Sequence, residues 1–463
     1  MPVKEDRYPN SIDDLDGQDN CILNEENWQN RLQSLLANYK ATLSTKDCKT
    51  LRILRFFEQK YDFVNLFKFY PLTWGDYGRA CYENLSKFGI DLWRRPTIDD
   101  ILKNCLDGNL MLNSVFNLPL NVSLNYKPAE MDRHVYDPRF LLPLFCSFFK
   151  TESLIDCPLF IRMNCLSFVL CCLSLEKDVL RKSAYLVLVK LRTYLSSCTV
   201  KFDEKSLVLN LLTVLKNSIK TANEKLPTTI SIFLAKAVTV LLEPGHPMFQ
   251  TINAFILLKP TIALDDVPEF YKFFHSTSST VSSKNEFLTE RHWILEFLAQ
   301  SLRTKRDYYI FKRRFIFKLL LPFFNTDSLC DQESKILIID LLKSGCRQKS
   351  IVSDLCFEWN LLGWFLSTII NHDICLLNDQ IVNRLGDLLT IVKETLKNRS
   401  EKAWEAAIFQ WISCQCAFLI KFSNYMTAET SKKMLDSLKE EMPLIKPSEQ
   451  SLINEYLKNF LHT

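Results

Sequence analysis

Residues 180–195 read Leu-Arg-Lys-Ser-Ala-Tyr-Leu-Val-Leu-Val-Lys-Leu-Arg-Thr-Tyr-Leu. Apolar residues recur in this stretch every three or four positions, which is the spacing of one side of an α-helix. One apolar face consists of Leu180, Ala184, Val187, Leu188, Leu191 and Leu195, and a second consists of Val179, Leu186 and Val189. Because both sides are apolar, we expect this helix to be sandwiched between neighbours rather than to lie on a surface.

Helical spacing continues on both sides of this stretch. Asp137-Pro138 predicts an N-cap followed by proline at the first helical position, and Pro158 predicts the start of a helix through Leu173. The apolar set Leu207, Leu211, Val214, Leu215 and Ile219 predicts the next helix after residue 197. Further helices are predicted around 228–242, 290–303, 308–321, 333–345, 351–370, 379–397, 402–422 and 448–461.

Helices joined by short polar connections, with almost no strand pattern between them, indicate stacked helical pairs that bury their apolar faces on one another. The chain has only 9 glycines in 463 residues. Phosphate-binding loops and nucleophile elbows depend on glycine, so this scarcity argues against most nucleotide-binding and α/β-hydrolase folds. We predict an all-α fold, a HEAT/armadillo-like α-solenoid of stacked antiparallel helix pairs.

Four parts are predicted along the chain. Residues 1–23 form an acidic head of low apolar content, which we expect to be disordered. Residues 24–135 are an irregular helical N-terminal segment, residues 136–346 a helical-repeat domain, and residues 347–463 C-terminal helical repeats. The connection from Glu243 to about Glu290 contains four prolines and interrupts the helical pattern. We expect it to form an ordered excursion that packs on the solenoid, followed by a flexible loop.

The 16 cysteines lie mostly within apolar stretches. Without an apolar signal peptide at the N-terminus, they are expected to be buried thiols of a reducing compartment rather than disulfides. The net charge is only +4, and no stretch is both long and apolar enough to predict a membrane span. We therefore expect no membrane contact.

Motifs that carry chemistry are missing from the sequence. There is no Walker A sequence, no dinucleotide glycine fingerprint, no G-x-S-x-G and no H-E-x-x-H. The six histidines are too scattered to indicate a metal site, and Cys414 and Cys416 are expected to be buried. We predict a protein that is not an enzyme, with no catalytic residue, cofactor, metal or small-molecule substrate.

The best candidate for binding is the segment from Arg303 to Lys318. Its candidate contact residues are Arg303, Lys305, Arg306, Tyr308, Tyr309, Lys312, Arg313, Arg314 and Lys318. Cations that attract phosphate and aromatic rings that stack on bases together hold single-stranded nucleic acid. The alternative is a solvated surface, in which the aromatic rings are core and the basic heads extend to water. Both interpretations stay open at the level of sequence.

A second candidate is the proline-bounded stretch Pro244–Phe274, which contains Met248, Phe249, Phe255, Phe270, Phe273 and Phe274. Its aromatic side chains predict core and loop packing. An exposed apolar groove for a partner helix is the alternative.

Several segments resemble the C-terminal domain of the nucleolar pre-ribosomal-associated protein family. They are Tyr136-Asp-Pro-Arg-Phe-Leu-Leu-Pro-Leu-Phe, Arg181-Lys-Ser-Ala-Tyr-Leu-Val-Leu, Leu226-Pro-Thr, Pro247-Met-Phe-Gln-Thr-Ile-Asn-Ala-Phe-Ile-Leu-Leu-Lys-Pro, Val267-Pro-Glu-Phe-Tyr-Lys-Phe-Phe and Arg291-His-Trp-Ile-Leu. They occur in consistent order between residues 136 and 346. The resemblance implies that members of this family are longer, with an extensive N-terminal solenoid to which none of these segments corresponds.

The resemblance implies a nucleolar, and so nuclear, scaffold of early large (60S) ribosomal subunit assembly that supports maturation of 5.8S and 25S/28S rRNA. The partners it implies are pre-60S particle proteins, namely a companion helical-repeat protein and a DEAD-box helicase, together with pre-rRNA. The alternative is a generic α-solenoid adaptor, a transport or signalling scaffold that binds protein without contacting RNA.

Overall fold

The computed structural model describes residues 25–60, 73–92, 96–123, 125–149, 154–197, 202–271, 283–326, 329–371, 378–422 and 428–441, with residues 425, 426, 443 and 451. Regular structure within these ranges consists of 21 α-helices and two short 3₁₀-helices, without a β-strand. The predicted all-α class is therefore confirmed. Backbone contacts divide the chain into two compact units, residues 1–106 and residues 107–463.

The first unit contains four described helices: α1 (Glu25–Ala37), α2 (Thr45–Lys60), α3 (Gly75–Leu92) and α4 (Ile98–Asn104). α1 packs against α3. The turn into α2 is held by the buried carboxylate of Asp47, which accepts hydrogen bonds from the backbone N–H and the hydroxyl of Thr42 at 3.0 and 2.5 Å. α4 begins at a reciprocal capping box between Thr97 and Asp100.

The second unit contains the remaining described helices. They are α5 (Gly108–Asn117), α6 (Pro138–Phe148), α7 (Cys157–Arg162), α8 (Cys165–Cys171), α9 (Asp178–Ser197), α10 (Lys205–Ser218), α11 (Thr228–Leu241), α12 (Phe249–Leu258), α13 (Ser283–Ser301), α14 (Lys305–Arg313), α15 (Ile316–Phe324), α16 (Gln332–Cys346), α17 (Val352–Phe357), α18 (Leu361–Asn371), α19 (Asp379–Lys397), α20 (Glu401–Phe422) and α21 (Ala428–Glu441).

Packing in the second unit follows the order of the chain. α5 packs on α8, α8 on α11, α11 on α13, α13 on α16, α16 on α19 and α19 on α21. Beside this row, α6 packs on α9, α9 on α10, α10 on α12 and α18 on α20. Each helix of the row from α8 to α19 therefore packs against both an earlier and a later helix.

Four hydrogen-bonded pairs join α16 to α19 and α19 to α21 with the same separation of 44 residues along the chain. The pairs are Asp340–Arg384, Lys343–Asp387, Lys393–Ser437 and Lys397–Glu441. α16 is therefore linked to α19, and α19 to α21, at the same sequence separation.

Helix starts are set by local chemistry that the sequence displays. The Asp137 carboxylate accepts a hydrogen bond from the backbone N–H of Arg139 at 2.8 Å and caps α6, whose first residue is Pro138. Asn378 caps α19 in the same way through the N–H of Ile381, at 2.9 Å. The predicted helix 379–397 is confirmed at both ends.

Three helices predicted as continuous are each interrupted near a residue with a left-handed backbone. Asn164 (φ 61°) separates α7 from α8, Phe315 (φ 54°) separates α14 from α15, and Asn360 (φ 49°) precedes α18. The single helices predicted from Pro158 to Leu173, over 308–321 and over 351–370 are therefore wrong. Apolar spacing continues across each bend and conceals it. Asparagine adopts the left-handed conformation more readily than most residues, whereas phenylalanine rarely does.

The prediction that α9 is sandwiched on both sides is also wrong. Its first apolar face, from Leu180 to Leu195, is buried. The second face is open to solvent: the exposed fractions of Val179, Leu186 and Val189 are 74%, 48% and 62%. Apolar composition on two sides does not ensure that both are covered within one chain.

Some predicted segments lie outside the described residues, namely the acidic head 1–23, residues 276–282 of the serine/threonine run, and the helix around 448–461 apart from residue 451. Conversely, the sequence does not predict α21, whose residues are mainly polar and charged. Within the proline-bounded excursion the structure forms α12.

The cysteines behave as small apolar residues. Of the 13 cysteines in the described ranges, all are free and 11 are buried, Cys414 and Cys416 among them. The prediction of buried thiols is confirmed for these residues.

α20 is, by length and composition alone, the one described helix that could cross a membrane. In this fold it is a core helix. The indole N–H of Trp411 donates to the carbonyl of Leu389 at 2.9 Å, the Cys414 thiol donates to the carbonyl of Leu362 at 3.2 Å, and both side chains are buried. Packing therefore accounts for its apolar composition.

Candidate interaction site

The basic and aromatic segment folds as α14 and α15 with a bend between them. The Thr304 hydroxyl accepts from the backbone N–H of Asp307 at 3.2 Å, and one Asp307 oxygen accepts from the N–H of Thr304 at 3.0 Å. The other Asp307 oxygen accepts from the N–H and the hydroxyl of Thr229, both at 3.0 Å. Asp307 is fully buried. The single acid of the segment therefore fixes the start of α14 against the start of α11.

The aromatic residues of the segment divide into core and surface. Tyr308 and Phe311 are buried, and the Tyr308 hydroxyl accepts a hydrogen bond from the indole N–H of Trp359 at 3.1 Å. Burial raises the pKa of Tyr308 well above its usual value. Tyr309 and Phe315 are instead 51% and 55% exposed. Only these two rings of the segment are open to a partner.

Arg303 has an internal role. Its guanidinium donates hydrogen bonds to the carbonyls of Gln300 at 2.9 Å, Leu118 at 3.2 Å and Phe116. These bonds tie the end of α13 to the end of α5. Burial lowers the pKa of Arg303 from its ordinary value, although an arginine stays protonated at any physiological pH. Arg303 is therefore positioned as a structural cation.

Three further arginines contact the loop that contains Asp265 and Asp266. Arg314 forms an ion pair with Asp266, and Arg306 lies 3.7 Å from the Asp265 carboxylate. Arg313 donates to the backbone carbonyl of Asp265 at 3.0 Å. The hydrogen bond to Asp266 is the main cause that raises the pKa of Arg314 above its usual value. Much of the basic charge in this segment is thus balanced within the chain.

The charge of Lys312 is balanced in the same manner by an ion pair with Glu358, the residue that follows α17. The hydrogen bond to Glu358 raises the pKa of Lys312. Glu358 is half exposed, so this pair lies at the surface and is screened by salt.

Lys305 and Lys318 are exposed and have no carboxylate partner among the described residues. The Lys305 ammonium lies 5.5 Å from the centroid of the Tyr309 ring, and that of Lys318 lies 5.9 Å from the centroid of Phe315. Each is a cation next to an exposed ring, an arrangement that offers attraction for a phosphate and a stacking surface for a base. Arg313, exposed and bonded only to a carbonyl, adds a third cation.

The sequence displays the cations but not their partners. Asp265, Asp266 and Glu358 lie 41 to 48 residues before or after them, and only the fold brings them together. No local sequence signal identifies these acids. A count of seven cations against one acid therefore overstates the free charge of the surface.

The second candidate, Pro244–Phe274, is mainly core where the structure describes it. Met248, Phe255 and Phe270 are buried, and Phe255 packs edge-on against Phe233 at a centroid distance of 5.3 Å. Phe273 and Phe274 lie outside the described residues. The described part favours packing over an open groove.

Histidine, cysteine and acidic side chains are spread over the part of the chain that the structure describes. No three histidine, cysteine or acidic side chains there are grouped as metal ligands. Burial raises the pKa of the Cys105, Cys356, Cys414 and Cys416 thiols to about 12 and of Cys171 to about 11. These thiols are therefore protonated at neutral pH and weak as nucleophiles.

Comparison with known proteins gives a consistent set of matches. The family model for nucleolar pre-ribosomal-associated protein 1 matches residues 166–364, which include the whole basic segment. The mouse protein of that name is 32% identical over 375 residues, and the human protein is 32% identical over 374 residues. Each alignment covers 76% of this chain but 16% of the relative, so the chain spans about a sixth of their length. No solved structure matches the chain.

Proposed function

The chain belongs to the nucleolar pre-ribosomal-associated protein 1 family, and we propose that it is a non-catalytic scaffold of early 60S ribosomal subunit assembly. In this role it supports maturation of 5.8S and 25S/28S rRNA from the tricistronic precursor. The nucleolar, and hence nuclear, localisation predicted from the sequence is confirmed by the names of both relatives.

The observation that carries this proposal is the identity of 32% over 76% of the chain to proteins named for pre-ribosomal association. The all-helical fold agrees with it, because extended helical arrays serve as docking platforms. Buried thiols with raised pKa values agree with a role that needs no nucleophile.

For residues 107–441 we propose a HEAT- or armadillo-like α-solenoid. The 44-residue separation of the four pairs that link α16, α19 and α21 supports it, since these repeats have periods of about 40–47 residues. Packing of each row helix on the preceding and the following one is the contact pattern of a stacked array. Within this unit, the predicted boundaries at residues 136 and 347 remain predictions.

RNA contact is proposed for the open part of the basic segment. Lys305, Tyr309, Arg313, Phe315 and Lys318 supply cations and rings that face solvent. The other sequence candidates contribute indirectly: Arg303 and Tyr308 hold the helices, and Arg306, Lys312 and Arg314 anchor acidic residues of neighbouring loops. A companion helical-repeat protein and a DEAD-box helicase of the pre-60S particle complete the proposed partners.

Depletion of the protein tests the assembly role. We expect 27S/32S pre-rRNA levels to change and tagged protein to purify with early pre-60S particles. Unchanged precursor levels after depletion, with the tagged protein absent from those particles, would contradict the proposal.

The second candidate function is a solenoid adaptor that binds protein without RNA, and the internal balancing of Arg306, Lys312 and Arg314 favours it. Ultraviolet crosslinking separates the two functions. Pre-rRNA crosslinks that map to Tyr309 or Phe315 support the first function. Particle association without RNA crosslinks in α14 and α15 supports the adaptor.

A further inference from the structure

The open face of α9 carries an aliphatic stripe of three exposed residues, Val179, Leu186 and Val189, on a line that Lys182 and Thr193 complete. Val179, Lys182, Leu186, Val189 and Thr193 are all exposed. Their spacing of three, four, three and four residues places them in one line along the helix. At about 1.5 Å of rise per residue the line is about 21 Å long.

The regular spacing distinguishes this line from isolated exposed leucines, which are common on protein surfaces. The opposite side of α9 is fully used in the core, and α6, α8 and α10 already pack on the helix. Spacing of three and four residues is the pattern by which one helix packs along another. The stripe is therefore shaped for one more helix.

Four basic residues lie in or near the line: Lys182 stands within it, Lys190 and Arg192 lie on opposite sides of it along α9, and Lys177 precedes the first residue of the helix. Lys177 and Lys182 are exposed and Lys190 and Arg192 half-exposed, and none of them has a carboxylate partner among the described residues. The Lys190 ammonium donates to the carbonyl of Cys146 at 2.8 Å, and the Arg192 Nε is buried without a hydrogen-bond partner. The acid of this helix, Asp178, is paired with Arg181.

We propose that α9 is a docking ridge for an amphipathic helix of another protein, whose apolar stripe is flanked by aspartate and glutamate. The three exposed aliphatic residues would bury the apolar stripe, and the four cations would pair with the acidic flanks. A second copy of this chain would bring like charges together. Branched aliphatic side chains also provide no ring on which a base of RNA could stack. This inference is independent of the RNA surface on α14 and α15.

Designed peptides test the ridge on the full chain. Three helical peptides share one leucine stripe and differ in their flanks, which are glutamate, lysine or glutamine. In fluorescence anisotropy we expect the glutamate peptide to bind with the highest affinity of the three. Leu186→Asp should lower that affinity at least about tenfold. Leu258→Asp is the control, because Leu258 is also an exposed leucine, at the end of α12, and lies outside the ridge.

Reversal of charge gives an independent readout. Lys177→Glu with Lys182→Glu should shift the preference from the glutamate peptide to the lysine peptide. Both positions are exposed, so thermal unfolding of the variant should match that of the parent chain, which separates lost binding from lost folding.

Three results would overturn the proposal. One is that no glutamate peptide binds at up to about 100 µM. Another is that Leu186→Asp and Leu258→Asp weaken binding equally. The third is a dimer in light scattering that Leu186→Asp dissociates, since the ridge would then bind a second copy. The RNA crosslinks of α14 do not depend on peptide binding to α9. A negative peptide experiment would therefore contradict the docking ridge without contradicting the proposed function.

Discussion

The ammonium of Lys397 lies 2.7 Å from a carboxylate oxygen of Glu441, 44 residues further along the chain. The Glu441 side chain is completely buried, whereas that of Lys397 is half exposed. Glu441 also accepts from the indole N–H of Trp404 at 3.0 Å and pairs with Lys393 at 3.1 Å. One carboxylate thus joins α19, α20 and α21.

Glu441→Gln should destabilise the protein by about 2 kcal/mol. Loss of the Glu441 charge leaves the buried Lys393 without its buried carboxylate partner. Because Lys397 is half exposed, the loss of unfolding free energy should be smaller than the ~3–5 kcal/mol of a fully buried pair. Urea unfolding measures the effect. Glu440→Gln is the control: Glu440 also pairs with Lys393 but is 70% exposed, so its removal should cost under about 0.5 kcal/mol. Equal losses in the two variants would contradict a special role for Glu441.

The same carboxylate predicts a pH dependence. Burial alone would raise the pKa of Glu441, but hydrogen bonds from Lys397, Lys393 and Trp404 outweigh it and hold the pKa below its usual value. Its contribution to stability is therefore present above the unfolded pKa of about 4.3 and is lost as pH falls through the lower folded value. The stability difference between parent and Glu441→Gln should be constant from neutral pH to about 5 and shrink below about 4.3. A difference that grows on acidification would exclude this interpretation.

The bend at Asn164 gives a third prediction. Alanine at this position must adopt the left-handed backbone, whereas glycine does so freely. Both substitutions also remove the hydrogen bond from the Asn164 amide to the carbonyl of Gly108, at 3.2 Å. The difference between them therefore isolates backbone strain, and Asn164→Gly should be more stable than Asn164→Ala by about 1 kcal/mol. Equal melting of the two would contradict a left-handed strain at this bend.

These cases separate what local pattern encodes from what only the fold reveals. Apolar spacing predicts the helical class, and the Asp137 and Asn378 caps mark their helices, because the information lies within a few residues. The bends at Phe315 and Asn360 interrupt the backbone without interrupting the apolar spacing, so pattern cannot detect them. The polar α21 has little apolar content to predict it, although Met434 and Leu438 are buried.

The candidate site shows the same division. Cations and rings of residues 303–318 are visible in the sequence, but their use depends on partners far along the chain. Arg303 reaches carbonyls more than 180 residues earlier, and Lys312 meets Glu358 across 46 residues. Pairings at such distances follow from the packing of whole helices. Of the segment, Lys305, Arg313 and Lys318, with Tyr309 and Phe315, stay exposed and so available for the proposed RNA contact.

Arg303 and Lys305 should therefore differ in what they do. Arg303→Ala leaves the carbonyls of Phe116 and Leu118 without a donor, and we expect a loss of about 2 kcal/mol. Lys305→Ala removes an exposed side chain and should change stability by less than about 0.5 kcal/mol. Thermal and urea unfolding of both variants measure this. If Lys305→Ala destabilised the chain as much as Arg303→Ala, the assignment of Lys305 to a free surface would be wrong.

RNA binding should depend on Lys305 and Lys318. Lys305→Glu with Lys318→Glu reverses the two cations that lack a described acidic partner and lie beside exposed rings. If each cation contacts one phosphate, the slope of log affinity for a single-stranded RNA against log salt should fall by about 1.4. Arg313→Glu with Arg314→Glu also weakens binding on this view, but it breaks the Arg314–Asp266 pair, so loss of loop structure contributes to its effect. The lysine variant avoids that ambiguity. An unchanged salt slope in the lysine variant would mean that this surface is only solvated, and that the protein-binding adaptor describes the chain better.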